Sequence, residues 1–167
     1  MTVRSGPDFT KRPRRVAAAL VGLSLLGELA CSRGRPAVKH VNSPELSKPS
    51  GYTHVVEAVG GRTLYVSGQV ALDGTGAVVG KGDLKAQTRQ VFENLKAALK
   101  ASGATLDDVV KITVFVTDMS QIQTVREVRD AYFTRNPPAS TAVEVSRLVR
   151  PELMIEIDAV AVAASTD

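Results

Sequence analysis

From Gly51 onward, hydrophobic positions fall into runs whose period separates strands from helices. His54–Val59 (HVVEAV) alternates loosely and is followed by Gly60-Gly61 and then Thr63–Ser67 (TLYVS). Two short strand-like runs around a glycine pair predict a hairpin. Asp73-Gly-Thr-Gly76 and Gly80 mark a loop. Asp83 then offers an N-cap to a helix whose apolar stripe is Leu84, Val91, Phe92, Leu95, Ala98 and Leu99, with the Thr88 methyl on the same side. Gly103 suits the residue after the helix end. Asp108–Asp118 (DVVKITVFVTD) alternates strictly, with Val110, Ile112, Val114 and Val116 on one face and Lys111, Thr113, Phe115 and Thr117 on the other. Ser120 to Arg135 reads as a second helix, with Ile122, Val125, Val128, Ala131 and Tyr132 inward, stopped by Asn136-Pro137-Pro138. Thr141–Leu148 and Met154–Val162 complete the pattern as two further strands joined around Pro151.

The expected order is β-β-α-β-α-β-β, an α+β sandwich on a mixed sheet. Two helices cover one face of such a sheet. The other face carries Lys111, Thr113, Phe115, Glu156, Val160 and Val162, too apolar to leave wholly in water. It is expected to be buried against further subunits in a closed ring.

Upstream the pattern changes. Lys11-Arg12-Pro13-Arg14-Arg15 precedes the uncharged run Val16–Gly27 (VAAALVGLSLLG) and then Glu28-Leu29-Ala30-Cys31. A cationic start, a short apolar stretch and small residues make an export signal of residues 1–31. The apolar run would rise about 18 Å as a helix, short of a bilayer core of about 30 Å. Leu29-Ala30-Cys31 resembles a lipoprotein signal with Cys31 as the lipidated residue, although Glu28 stands where an aliphatic residue is expected. The alternatives are an ordinary cleaved signal, an uncleaved anchor, or a misassigned start, the last implying a cytoplasmic protein. Residues 32–50, polar and punctuated by Pro36, Pro44 and Pro49, read as a tether to a domain at 51–164. The expected location is thus periplasmic or membrane-anchored, with membrane contact only through the signal or lipid.

Composition matters mainly through its distribution. The 167 residues carry a formal charge of +4, which invites a nucleic-acid reading. Residues 1–50 hold nine Lys/Arg and three Asp/Glu. Subtracting these from the totals of 21 and 17 leaves 12 basic and 14 acidic residues in 51–167, a net of −2. The basic character belongs to the leader, so no nucleic-acid partner is expected for the domain. One cysteine allows no internal disulfide, and two histidines with it are too few for a structural zinc site. Gly74-Thr-Gly76 lacks the surroundings of a phosphate loop.

Ser67-Gly68-Gln69, Gln90-Val-Phe-Glu-Asn94-Leu-Lys96, Val110–Asp118, Val143-Glu-Val-Ser-Arg-Leu148 and Ile155-Glu-Ile-Asp-Ala-Val-Ala161 resemble the RidA/YjgF family over about residues 51–164. The resemblance implies a chorismate-mutase-like fold, a homotrimer with a central barrel of sheets, and three small-molecule clefts between subunits. Active members hydrolyse enamines and imines such as 2-aminoacrylate and 2-iminobutanoate to 2-keto acids and ammonia, with no metal or organic cofactor. The residue types suit that chemistry: a carboxylate can relay a proton to the departing nitrogen, and an arginine fork suits a carboxylate substrate.

Carried over by position, the family's cleft glutamate is Glu156, and the tyrosine early in the domain is Tyr52, with a longer spacing to Ser67. Ser67 and Gly68 match the cleft-lining pair, and Asn94 matches a helix asparagine. The arginine does not carry over: Pro138-Ala139-Ser140 replaces Pro-Ala-Arg, and Ala142 stands where many members have cysteine. Arg147 is an odd-numbered position and would point to the opposite face from Ser140 in a regular strand. A charge-assisted bond is worth about 1.5–3 kcal/mol, so its loss costs on the order of tenfold to several hundredfold in substrate use. Two functions follow: a hydrolase acting on imines or related small molecules, or a non-catalytic binding trimer. Bland alternatives also stand for single residues. Glu156 could face solvent, Ser67-Gly68 and Tyr52 could serve packing, and Asn94 could cap a neighbouring loop.

Overall fold

A computed structural model describes residues 34–165, and the proposed signal and Cys31 lie outside them. The elements are β1 (Ala37–Val41), β2 (Val55–Val59), β3 (Arg62–Val70), α1 (Leu84–Ala101), β4 (Val109–Val116), α2 (Ile122–Tyr132), β5 (Ala139–Glu144) and β6 (Ile155–Ala163). The class is α+β, with four strands in the order β3-β6-β4-β5 and a separate antiparallel pair β1-β2. β4 runs parallel to β5, and β6 antiparallel to β3 and β4, so the main sheet is mixed.

Strand β1 corrects two expectations. Part of the stretch read as a tether is a strand, with Lys39 opposite Glu57 and Val41 opposite Val55. Moreover, β2 takes β1 as its partner, so the run before Gly60-Gly61 and the run after it do not form a hairpin. Both glycines sit at φ +76, and a methyl on Gly61 would lie 2.5 Å from the Ala163 carbonyl oxygen. The turn therefore delivers β3 against β6 instead of folding it back on β2.

α1 forms as its sequence pattern demands. Asp83 accepts from the Ala86 N–H at one end, and at the other the Ser102 N–H donates to Leu99 O and the Gly103 N–H to Lys100 O, with Gly103 at φ +66. Val91, Phe92, Leu95 and Leu99 are fully buried against Ile112, Val116, Ile155 and Ile157 of the sheet. Each such side chain stabilises the fold by about 1.5–3 kcal/mol. Gln87 is also fully buried: its Nε2 donates to Gly80 O and Glu152 O, and its Oε1 accepts from Met154 N. It seams the helix to both loops that enter the sheet.

α2 is shorter than the apolar pattern suggests. A 3₁₀ turn at Met119–Gln121, with Asp118 accepting from Ser120 N, precedes it. Its buried residues are Val125, Val128 and Arg129, whereas Ala131 is exposed. In β4 an irregularity between Val109 and Lys111 places Val109 in the core in place of Val110. β5 begins at Ala139, two residues before expectation, and ends at Glu144, which leaves Arg147 outside the strand. Both helices cover the face formed by Ile155, Ile157, Ala159 and Ala161. Glu156, Asp158 and Val160 alternate onto the opposite face, where Tyr65 is 83% exposed.

Candidate functional site

The sequence-selected residues form two groups, and the sheet stands between them. Glu156 lies opposite Phe115 on one side and Val70 on the other, on the face that the helices leave open. The pairing of β3 with β6 slips between Val66 and Gln69, so Ser67 and Gly68 form a bulge beside it. A bulge of this kind bends the strand and re-aims its side chains. The Glu156 carboxylate fills the space above Gly68: a methyl there would lie 1.9 Å from Oε1 and 2.7 Å from Cδ. Gly68 is thus required for close approach, and Glu156 is neither in the core nor fully exposed.

Asn94 approaches the same bulge from α1. Its Nδ2 donates at 2.9 Å to both Val70 O and Leu72 O, and its Oδ1 accepts from Gln90 Nε2 at 2.8 Å. These bonds use the amide on the backbone leaving β3. Asn94 fixes that loop, and with Gly68 and Asp73 it lines a cavity of about 400 Å³.

Ser140 and Tyr52 belong to the other group. Ser140 pairs with Ile112 and Ala142 with Val114, and both partners are buried toward the helices. Ser140 therefore faces the helical side, the face opposite that of Glu156. Tyr52 and Ser140 line a cavity of about 240 Å³, closed by Val125 of α2 and also lined by Arg126 and Arg129. The loop that carries Tyr52 is held there by Thr53, whose N–H donates to Pro138 O and whose Oγ1 donates to Pro137 O at 2.5 Å.

The two arginines escaped the sequence reading. Arg129 is 6% exposed, and its Nε and Nη2 donate to Asp130 Oδ1 at 2.9 and 2.8 Å. Nη2 also reaches Ser50 O at 3.4 Å. Gly51, at φ +69, makes room for this guanidinium, since a methyl there would lie 1.8 Å from Nη2. The available signal was their spacing: Ile122, Val125, Arg126 and Arg129 recur at three and four along one side of α2. A larger cavity of about 500 Å³, between α1 and Leu106, is lined by Glu93, Lys96 and Lys100 and holds none of the selected residues.

Comparison with known proteins adds four findings. The profile of the family described as Endoribonuclease L-PSP matches residues 44–163. A RutC family protein of Pyrococcus horikoshii is 45% identical over 115 residues, 68% of this chain and 89% of that protein. A 2-iminobutanoate/2-iminopropanoate deaminase of Salmonella typhimurium is 43% identical over 106 residues, 61% of this chain and 80% of that protein. Among solved structures, a conserved Rid family protein from Yersinia pestis aligns with a TM-score of 0.69 at 39% identity, covering 75% of this chain and 98% of that one.

Proposed function

The chain belongs to the Rid family, the group described as Endoribonuclease L-PSP, and on that premise we propose that it hydrolyses a small imine or enamine in a cleft between subunits of a homotrimer. The observation that carries this reading is the partition of the candidate residues. Glu156 with Ser67-Gly68 lies on the open face of the sheet, and Tyr52 with Ser140 lies on the helical face. One subunit cannot bring both groups to one substrate. A ring of subunits can, by setting the open face of one beside the cavity of the next. The exposed Tyr65 and the apolar Phe115 and Val160 on that open face suit burial against a neighbour.

The chemistry asks little of the protein. Water adds to the carbon of C=N and one of its protons passes to the nitrogen, giving a carbinolamine; the hydroxyl proton follows as the C–N bond breaks and C=O forms, releasing ammonia. Glu156 relays both protons, taking each from oxygen and delivering it to nitrogen. The family includes proteins named as deaminases of 2-iminobutanoate and 2-iminopropanoate, which supports a 2-imino acid as the substrate class. The endoribonuclease in the family's description fits this domain poorly, because residues 51–167 carry a net of −2.

The test is to generate 2-iminobutanoate enzymatically and follow its decay with the purified full chain. Acceleration that disappears in Glu156→Gln is expected, and an unchanged rate in that variant overturns the catalytic role. Ser140 favours a second reading, a trimer that binds small molecules without turning them over. Decay unaffected by wild type yet accelerated by Ser140→Arg would select it. Action outside the cytoplasm is proposed from the leader alone. Intact mass of membrane-extracted protein, beginning at a lipidated Cys31, would support it.

A further inference from the structure

The cavity behind Ser140 contains cations that the strand itself lacks. We propose that Arg126 and Arg129 of α2 hold the carboxylate of the substrate, taking over the task left open by Ser140. This inference rests on the proposed cleft and deepens it by assigning the group that selects an anionic substrate.

Several observations converge on these two side chains. Both line the same cavity of about 240 Å³ as Tyr52 and Ser140. They differ in character, since Arg129 is buried and Arg126 is exposed. Arg129 is held from three sides: by Asp130 Oδ1, by Ser50 O, and by the gap that Gly51 leaves for its Nη2. Those contacts occupy Nε and Nη2 and leave Nη1 without a bond to any described residue. No buried side-chain nitrogen or oxygen among the described residues lacks a partner. Nη1 therefore keeps some contact with solvent, although the residue as a whole is buried.

Charge balance points the same way. Asp130 offsets Arg129, but the cavity's other cation, Arg126, has no ion-pair partner among the described residues. No acidic residue lines this cavity. A small carboxylate entering it meets one uncompensated guanidinium, a second whose Nη1 is unbonded, and the neutral Ser140 hydroxyl. The apolar wall of Val114, Ile122 and Val125 strengthens such contacts by excluding water. A guanidinium reached from the helix, in place of one rooted on β5, leaves more of the strand-side volume free. The substrate side chain can then extend toward Ser140 and Ala142.

The experiment measures binding apart from turnover. Calorimetric titration of the full-length protein with 2-oxobutanoate, the stable keto acid, is compared with its neutral amide, 2-oxobutanamide. Wild type should prefer the acid, and Arg126→Gln should reduce that preference by about tenfold or more, as loss of a charge-assisted bond requires. Adding Ser140→Arg to Arg126→Gln should restore the preference from the strand side. Because Arg129 also holds the Ser50–Tyr52 loop, the exposed Arg126 decides the matter. Arg129→Lys, which keeps the charge and loses the fork, should weaken the acid without weakening the amide. No preference for the acid in wild type, or a preference untouched by Arg126→Gln in a correctly assembled protein, overturns the proposal. Imine hydrolysis with a KM indifferent to Arg126→Gln would overturn it alone and leave the hydrolase reading standing. An arginine-dependent acid preference without hydrolysis would do the reverse.

Discussion

Gly68 and Glu156 show how one missing side chain sets the position of another. The space above Gly68 is occupied by the end of a flexible carboxylate, not by backbone. Gly68→Ala should therefore fold normally and displace Glu156. A misplacement of about 1 Å in a reacting group costs on the order of a hundredfold in rate. The expected result is a melting temperature near that of wild type with imine hydrolysis reduced by about that factor, and full activity in this variant would detach Glu156 from the chemistry. The sequence made Glu156, Ser67 and Gly68 legible because they sit in short, distinctive phrases. It also exposed the missing arginine at Ser140. Arg126 and Arg129 were not legible, because helical arginines three apart are usually solvated on an outer face. Only the loop folded over Arg129, at a glycine that admits its guanidinium, shows otherwise.

Asn94 belongs to the coupling of elements, joining α1 to the end of β3. Asn94→Ala removes one donor each from Val70 O and Leu72 O, which retain the Leu72 N–H and Gln90 Nε2 respectively, so each lost bond costs about 0.5–1.5 kcal/mol. Thermal unfolding should register a lower melting temperature, and Asn94→Asp should not repair it, since a carboxylate cannot donate. A second link joins the helices themselves. Tyr132 stacks on Phe92 with centroids 4.7 Å apart, and its hydroxyl donates to Glu93 Oε1 at 2.9 Å. The Lys96 ammonium first, and then the Tyr132 hydroxyl, hold the Glu93 carboxyl below its usual range. Its stabilising effect is thus present when the group is ionised and fades as pH falls through the carboxylate range. Burial first, and then Glu93, push the Tyr132 hydroxyl up, so its contribution is lost as the solution becomes strongly alkaline. Glu93→Gln should flatten the acid limb of a plot of melting temperature against pH. Elements with a clean period, such as α1 and β6, were read closely from sequence. β1 was missed because Ala37–Val41 is short, lies among prolines, and pairs with a strand that a glycine turn seemed to assign elsewhere.

For the molecule as a whole, the α+β class and the one-sided helical layer followed from counting helices against strands. The open face followed from the same count, and the structure leaves Tyr65, Phe115 and Val160 on it. The spatial order β3-β6-β4-β5 was beyond reach, since a period reports which face a residue takes and says nothing of which strand lies beside it. The proposed ring makes Tyr65 part of a subunit contact. Sedimentation should report three chain masses for wild type and a smaller species for Tyr65→Glu, and a monomeric wild type would remove the shared cleft.

In the proposed ring, the sheet that parts Glu156 from the arginine cavity would also open the gene to complementation. A subunit with Glu156→Gln retains an intact helical face, and one with Arg126→Gln retains an intact open face. Each variant alone would be impaired at all of its clefts. Coexpressed and randomly assembled, they would rebuild wild-type pairings in about a quarter of the clefts, because each proposed cleft would take one face from each of two neighbours. Two defective alleles would then restore what neither encodes.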